Sequence, residues 1–482
     1  MIIPTLKCTD LPRKLENVLA PQLQTTPCCN LCFNMTFLRL VAFLNLWLGF
    51  VSAIPDPLFN QSEPLSEPIP PSQDSWYTAP PGFANKAPGT VLRVRPAPGN
   101  LTSITANSSA SYNILYRTTD SHFKPTWAVT TLFVPKLGSN SAAQQNALLS
   151  FQVPYDSSDV DASPSYSVYS ASNESSAGYT AALGAGLYVS VPDYEGPLGA
   201  FTAGIISGHA TLDSIRAVLS LDLGLTNNSR VALWGYSGGA LASEWASELA
   251  VQYAPDLTSG TILGAALGAP PVNVTTLMKS VNREAAAGLI PNALFGLIVQ
   301  YPDVRKYLVS KLNTVGEYNK TGFSAAERFT ITESGTTYAN QDINNYFQNG
   351  TDVLNDPKIL ALVNREGVMG YYGVPGWPLF IYQAIPDEIT KISETDALVT
   401  RYCGVGADIL FERNSVGSHY EEADNSYGAA VQWLTDLFNE NQVPGKGRGC
   451  VIRDVTRNVT SSALARRGDK SNIWNLWSAN YQ

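Results

Sequence analysis

A serine that could act as a nucleophile stands in the sequence G-Y-S-G-G at residues 235–239. The apolar run at residues 230–234 favours a β-strand before it, and the run at residues 240–251 has helical spacing after it. This order is typical of a nucleophile elbow, in which small neighbours permit a strained turn that exposes the serine hydroxyl. The sequence therefore predicts that Ser237 attacks a carbonyl carbon.

A serine hydroxyl needs an adjacent base, and the chain has three histidines: His122, His209 and His419. In folds that carry this elbow, the acid and then the histidine follow the serine along the chain. His419 is the only histidine after Ser237, so we predict that it is the base. His122 precedes a strand and His209 lies near a helix start, where structural roles are expected.

The acid should follow a strand between the serine and the histidine. An apolar strand candidate at residues 378–384 is followed at once by Asp387, which would hold the imidazole in its working tautomer. Glu388 is the local competitor and Asp424 a more distant one. We favour Asp387 because it comes first after the strand.

The elements that must position these side chains alternate between strands and helices, which indicates an α/β fold with a mostly parallel sheet. Residues 91–269 are predicted as the first part of an α/β-hydrolase core and residues 376–482 as its second part with a C-terminal tail. Residues 270–375 form helix-like stretches with breakers and are predicted as a helical cap. Strands are expected at residues 111–118, 126–134, 147–153, 187–191, 230–234, 263–267, 378–384 and 407–412.

The amino terminus has the pattern of an export signal. Residues 1–53 are predicted as a leader whose true start is Met35, because a basic region, an apolar run and a small-residue cleavage signal follow that methionine. Residues 54–90 are Pro- and Ser-rich and predict an irregular lead-in. No later stretch reaches membrane-spanning length, so no transmembrane anchor is expected in the mature chain. Nine N-x-Ser/Thr sequons follow residue 53 and favour a secreted glycoprotein: Asn60, Asn100, Asn107, Asn173, Asn227, Asn273, Asn319, Asn349 and Asn458.

Net charge limits the classes of binding partner, and the cysteine content bears on the cellular compartment. A net charge of −9 without a dense basic cluster argues against nucleic acid. Cys403 and Cys450 are the only cysteines after the leader, so an oxidising compartment should pair them. Serine acyl transfer requires no cofactor, and no metal site is predicted.

Four motifs resemble the fungal secretory lipase family of the lipase-A type. The resemblance spans about residues 75–455. Its most specific feature is that the serine motif is followed along the chain by the A-I-P-D-E motif. The motifs are G-Y-S-G-G at 235–239, A-I-P-D-E at 384–388, P-D-Y-E-G at 192–196, and Y-D-S at 155–157 followed by P-S-Y-S at 164–167.

The resemblance implies Ser237 as nucleophile, Asp387 as acid and His419 as base. It also implies an oxyanion hole from the backbone N–H groups of Gly238 and Asp156, with the Asp156 side chain as a further contributor. A helical cap and activity on water-insoluble esters, chiefly triacylglycerols, are part of the same expectation.

The sequence thus predicts a secreted serine lipase that hydrolyses long-chain esters at an oil–water interface through an acyl-enzyme. The apolar stretch at residues 284–301 is a candidate to bury a long acyl chain, with ordinary core packing inside the cap as the alternative. A short-chain carboxylesterase, a peptidase or an acyltransferase could use the same triad, because specificity lies outside it. A catalytically silent binding protein is the alternative of another class.

Overall fold

The computed structural model describes residues 67–99, 101–136, 146–170, 176–226, 228–440, 447 and 449–459. The predicted leader at residues 1–53, with its start at Met35, lies outside these residues. So do four sequons, those of Asn60, Asn100, Asn173 and Asn227.

Ten strands form one sheet in the order β1-β2-β3-β5-β4-β6-β7-β8-β9-β10. The pairs from β5 through β10 are parallel, and β1, β2, β3 and β5 pair antiparallel. The α/β prediction with a mostly parallel sheet is therefore confirmed. The strands are β1 (Val91–Pro96), β2 (Ser108–Thr119), β3 (Pro125–Pro135), β4 (Ala147–Gln152), β5 (Tyr188–Pro192), β6 (Arg230–Tyr236), β7 (Ile262–Gly268), β8 (Leu379–Ala384), β9 (Ile409–Asn414) and β10 (Cys450–Val455).

Helices cover both faces of the sheet, as the near-continuous apolar character of its central strands requires. Those in the described part of the chain are α1 (Leu101–Ile104), α2 (Pro164–Ser167), α3 (Ser176–Gly184), α4 (Gly204–Leu219), α5 (Gly238–Tyr253), α6 (Pro255–Thr258), α7 (Val274–Val281), α8 (Leu289–Ile298), α9 (Pro302–Ser310), α10 (Lys320–Ser324), α11 (Ile331–Tyr338), α12 (Pro357–Glu366), α13 (Ile392–Gly404), α14 (His419–Asn425) and α15 (Tyr427–Phe438).

Six of these helices, α7 to α12, lie between β7 and β8, inside the segment predicted as a cap. Its longest apolar stretch, residues 284–301, is not one helix: a 3-10 turn, Ala285–Gly288, precedes α8. All ten residues of α8 are buried. None of the described helices is long and apolar enough to cross a membrane.

Two strands were not foreseen from the sequence. β10 falls in what was expected to be a C-terminal tail, and it pairs parallel to β9 from Cys450 opposite Ile409 to Val455 opposite Asn414. β1 pairs antiparallel to β2 at the other edge of the sheet. Both carry exposed or half-buried residues, so their hydrophobic signal is weak.

Candidate active site

The turn between β6 and α5 holds Ser237 in a strained conformation. Its φ is 52° and its ψ −121°, a left-handed geometry that a residue with a side chain rarely adopts. A Cβ at Gly235 would lie 2.1 Å from the carbonyl oxygen of Gly239, and one at Gly239 would lie 2.0 Å from that of Gln152. Gly235 and Gly239, two of the three glycines of the motif, are thus required by close backbone approach, as a nucleophile elbow demands.

Ser237, His419 and Asp387 come together in a hydrogen-bonded chain. The Oγ of Ser237 lies 3.0 Å from Nε2 of His419, and Nδ1 of His419 lies 2.8 Å from Oδ2 of Asp387. Because an ionised carboxylate only accepts hydrogen bonds, Nδ1 carries the proton and Nε2 is left to accept from the serine hydroxyl. This geometry suits proton removal from the hydroxyl by the imidazole.

Asp387 is fixed by the turn that follows β8. Its Oδ1 accepts the backbone N–H groups of Ile389 at 2.9 Å and Thr390 at 2.8 Å, and its Oδ2 accepts the Thr390 hydroxyl at 2.8 Å. Burial alone would raise the pKa of Asp387, but His419 and these donors hold it below its usual value. The sequence did not single out Thr390, although an Asp side chain commonly accepts backbone N–H groups just after it in a turn.

Glu388, the local competitor for the role of acid, contacts the backbone of the histidine. Its Oε2 accepts the N–H of His419 at 2.9 Å, at the first residue of α14. The Tyr236 hydroxyl donates to the carbonyl oxygen of the same histidine. Burial lowers the pKa of His419, but the charge of Asp387 more than offsets this and holds it above the ordinary value.

The loop after β4 carries Asp156, the second expected oxyanion donor. This residue is buried, and its φ of 47° is again left-handed. A Cβ at Gly238 would lie 1.9 Å from Asp156 Oδ1, so the carboxyl group stands against the residue that follows the serine. The structure therefore places Asp156 beside Gly238, and their N–H groups as an oxyanion hole stay a prediction.

Buried acids surround this loop. Burial raises the pKa of Asp156 to about 7, although the charge of His419 acts in the opposite direction. Burial, together with the charges of Asp156 and Asp193, also raises the pKa of Glu195 well above its usual value. Asp156 Oδ1 and both carboxyl oxygens of Glu195 have no hydrogen-bond partner within the described ranges. Burial and these neighbouring charges therefore favour the uncharged form of Glu195.

The other two histidines lie away from the serine. His209 is buried inside α4, where burial lowers its pKa to about 4, and its ring stacks on Tyr253. His122 Nε2 lies 2.8 Å from the carbonyl oxygen of Gln300. Asp424 lies on α14, five residues after His419.

Residues that follow β10 contact the end of β9 and the helix that begins with His419. Asn414, at the end of β9, donates to the carbonyl oxygen of Arg457 at 2.9 Å and accepts the Arg457 N–H at 2.9 Å. The N–H of Val459 donates to Asn425 of α14 at 2.8 Å. A disulfide joins Cys403 to Cys450, with their Cα atoms 5.8 Å apart, and so fixes the start of β10.

Comparison with known proteins gives consistent results. The sequence pattern of the family described as "Secretory lipase" matches residues 176–445. Over 452 residues the chain is 72% identical to a trichothecene C-3 esterase from Fusarium sporotrichioides, which covers 92% of this chain and 100% of that protein. It is 40% identical to a probable trichothecene esterase from Stachybotrys chartarum, over 83% of each chain. The structure of Candida antarctica lipase A in its closed state matches with a TM-score of 0.71 at 28% identity, over 85% of this chain and 95% of that one.

Proposed function

Since the chain belongs to the secretory lipase family and is a carboxylic-ester hydrolase, we propose that Ser237, His419 and Asp387 hydrolyse a C-3 ester of a trichothecene. The observation that carries this proposal is the 72% identity with the trichothecene C-3 esterase of Fusarium sporotrichioides, over 92% of this chain and the whole of that protein. The hydrogen-bonded chain from serine to carboxylate supplies the chemistry.

In the proposed reaction, Ser237 Oγ bonds to the ester carbonyl carbon while His419 Nε2 takes the hydroxyl proton. The N–H groups of Gly238 and Asp156 stabilise the oxyanion. The carbon–oxygen bond to the alcohol then breaks, and His419 gives its proton to that oxygen. Water, deprotonated by His419, attacks the acyl carbon. The bond from that carbon to Ser237 Oγ breaks, and His419 returns the proton to Oγ, which releases the acid and the free serine.

The packing of α8 bears on the size of the acyl group. Its ten residues are all buried against protein, so their side chains are used for core packing. The sequence left two roles open for residues 284–301, the lining of a long acyl site and core packing. Side chains that already pack against other protein atoms offer no open surface to an acyl chain, so α8 gives no support to a long-chain ester as the substrate.

A triacylglycerol lipase is the second candidate, because the chain also matches Candida antarctica lipase A over most of its length. The two candidate functions are distinguished by the rates at which the purified protein hydrolyses a trichothecene C-3 ester and emulsified long-chain triacylglycerol, each supplied in equal amount. We expect the trichothecene ester to be hydrolysed with the higher kcat/KM. Faster hydrolysis of the emulsion would contradict the proposal and favour the lipase. A Ser237→Ala variant is the control and should hydrolyse neither.

The proposal includes secretion, which the description of the family and the sequon pattern support. Among the described sequons, Asn107, Asn349 and Asn458 are exposed. Sequencing the amino terminus of the protein recovered from culture medium would test the expected start near Ile54.

A further inference from the structure

We propose that Asn292, in the middle of α8, is a positioning residue for the oxyanion hole, an inference that rests on the proposed function. Its side-chain Nδ2 donates a hydrogen bond of 3.1 Å to the backbone carbonyl oxygen of Asp156. The contact joins a helix between β7 and β8 to the loop after β4, across 136 positions of sequence.

Asn292 is fully buried within an otherwise apolar helix. A buried amide is costly unless its hydrogen bonds are satisfied. Its Oδ1 accepts the hydroxyl of Ser334 on α11 at 2.7 Å, and Ser334 is itself fully buried. Both Nδ2 and Oδ1 of Asn292 therefore have a hydrogen-bond partner, and this fixes the direction in which the side-chain N–H points.

Asp156 needs such support because its backbone is strained. A non-glycine residue at a φ of 47° persists only where its surroundings over-determine the conformation. On its amino-terminal side, the Tyr155 hydroxyl accepts the N–H of Glu195 at 2.7 Å. On its carboxyl-terminal side, Asn292 holds the carbonyl of Asp156 itself, and the Ser157 hydroxyl donates to the carbonyl of Phe329 at 2.7 Å.

The helix that carries Asn292 is itself seated closely on the core. A Cβ at Gly296, one turn further along α8, would lie 2.5 Å from the backbone nitrogen of Phe201. The hydroxyl of Thr202 donates to the carbonyl of Ala293 at 3.4 Å. Because α8 cannot slide at this contact, the hydrogen bond from Asn292 fixes the loop of Asp156 relative to the helix.

The consequence is a defined role in turnover. If the carbonyl of Asp156 is released, its peptide planes can rotate, and its N–H no longer points at the oxyanion. The oxyanion exists only in the transition state, so kcat should fall while substrate binding changes little.

The test compares Asn292→Leu with a matched control, Gln300→Leu. Gln300 is also a buried amide that ties the same stretch to the core, through the N–H and hydroxyl of Ser121 at 3.0 and 3.1 Å, but it does not contact the oxyanion loop. With 4-nitrophenyl butyrate as substrate, we expect Asn292→Leu to lower kcat by about a hundredfold, as loss of an oxyanion donor does, at nearly unchanged KM. Gln300→Leu should keep kcat within about threefold of wild type.

Equal losses of kcat in the two variants, or a loss confined to KM, would overturn the inference. If Asn292→Leu does not fold, Ser334→Ala is measured instead, because it removes the hydrogen bond that orients the Asn292 side chain. A lower kcat at unchanged KM would support the positioning role of Asn292. An unchanged kcat would contradict it. A wild type that hydrolyses no ester would contradict the proposed function itself. An active wild type with a fully active Asn292→Leu contradicts only the inference.

Discussion

Three side chains from distant parts of the chain meet in one hydrogen-bonded line, and each is fixed by neighbours that do not react. Asp387 is held by two backbone N–H groups and the Thr390 hydroxyl. His419 is held at its backbone N–H by Glu388. The two adjacent acids therefore have different tasks, one at the imidazole ring and one at the start of its helix.

Replacement of these acids by their amides should separate the two tasks. Asp387→Asn should lower kcat by about 10⁴, because an amide that donates to Nδ1 stabilises the wrong tautomer of His419. Glu388→Gln should leave kcat within about threefold, because the amide oxygen still accepts the hydrogen bond from the His419 N–H. Steady-state rates with a soluble ester measure both. A larger loss of kcat in Glu388→Gln than in Asp387→Asn would show that Asp387 is wrongly assigned as the acid.

At the scale of the elements, the turn from β6 to α5 depends on close backbone contacts. The carbonyl oxygen of Gln152, the last residue of β4, occupies the space where a side chain on Gly239 would begin. The strand beneath the turn and the turn itself therefore fit each other only with glycine at that position.

Gly239→Ala should consequently damage the site and the fold together. Its Cβ would lie 2.0 Å from the Gln152 oxygen, and neither backbone can move away without breaking the sheet. We expect a loss of stability of about 1–3 kcal/mol from overpacking, with much slower alkylphosphonate labelling of Ser237. Gly404→Ala, at the end of α13 with no atom within 4 Å of the added Cβ, is the control and should be neutral. Thermal unfolding and labelling rates that are alike in the two variants would contradict this view.

The sequence predicted the central strands and the residues at their ends because buried parallel strands are continuous apolar runs bounded by turn residues. It missed β1 and β10, whose arginines and exposed faces resemble loop sequence. For the stretch around Asn292, the prediction rested on the apolar character of residues 284–301 as a whole. The single amide at position 292 was a sign of a specific polar contact. The partner of that amide, Asp156, lies 136 positions away, and no local pattern reports such a contact.

At the scale of the whole molecule, the sheet is completed by its last strand. The disulfide from Cys403 to Cys450 ties β10 to the end of α13, across 47 positions of sequence. Between these cysteines lie β9 and the helix of His419. The bridge therefore closes a loop that contains part of the candidate site.

Removal of this bridge should destabilise the protein. A Cys403→Ser/Cys450→Ser variant should lose roughly 3–4 kcal/mol of stability, because the unfolded chain regains the entropy of an open loop. Urea unfolding of the variant and of wild type, each with and without reductant, would measure the difference. Reductant should shift only the wild type. Two free thiols in peptide mapping of the untreated protein would contradict the pairing.

The contacts of Arg457 and Val459 with Asn414 and Asn425 have a consequence for the timing of synthesis. A ribosome makes these residues after the serine, the acid and the histidine, yet they brace the helix on which the histidine lies. Domains fold as units, so the serine, the acid and the histidine are not expected to come together before these residues have been made. On the proposed mechanism, we therefore expect a nascent chain to hydrolyse no ester until residues 457–459 have been made.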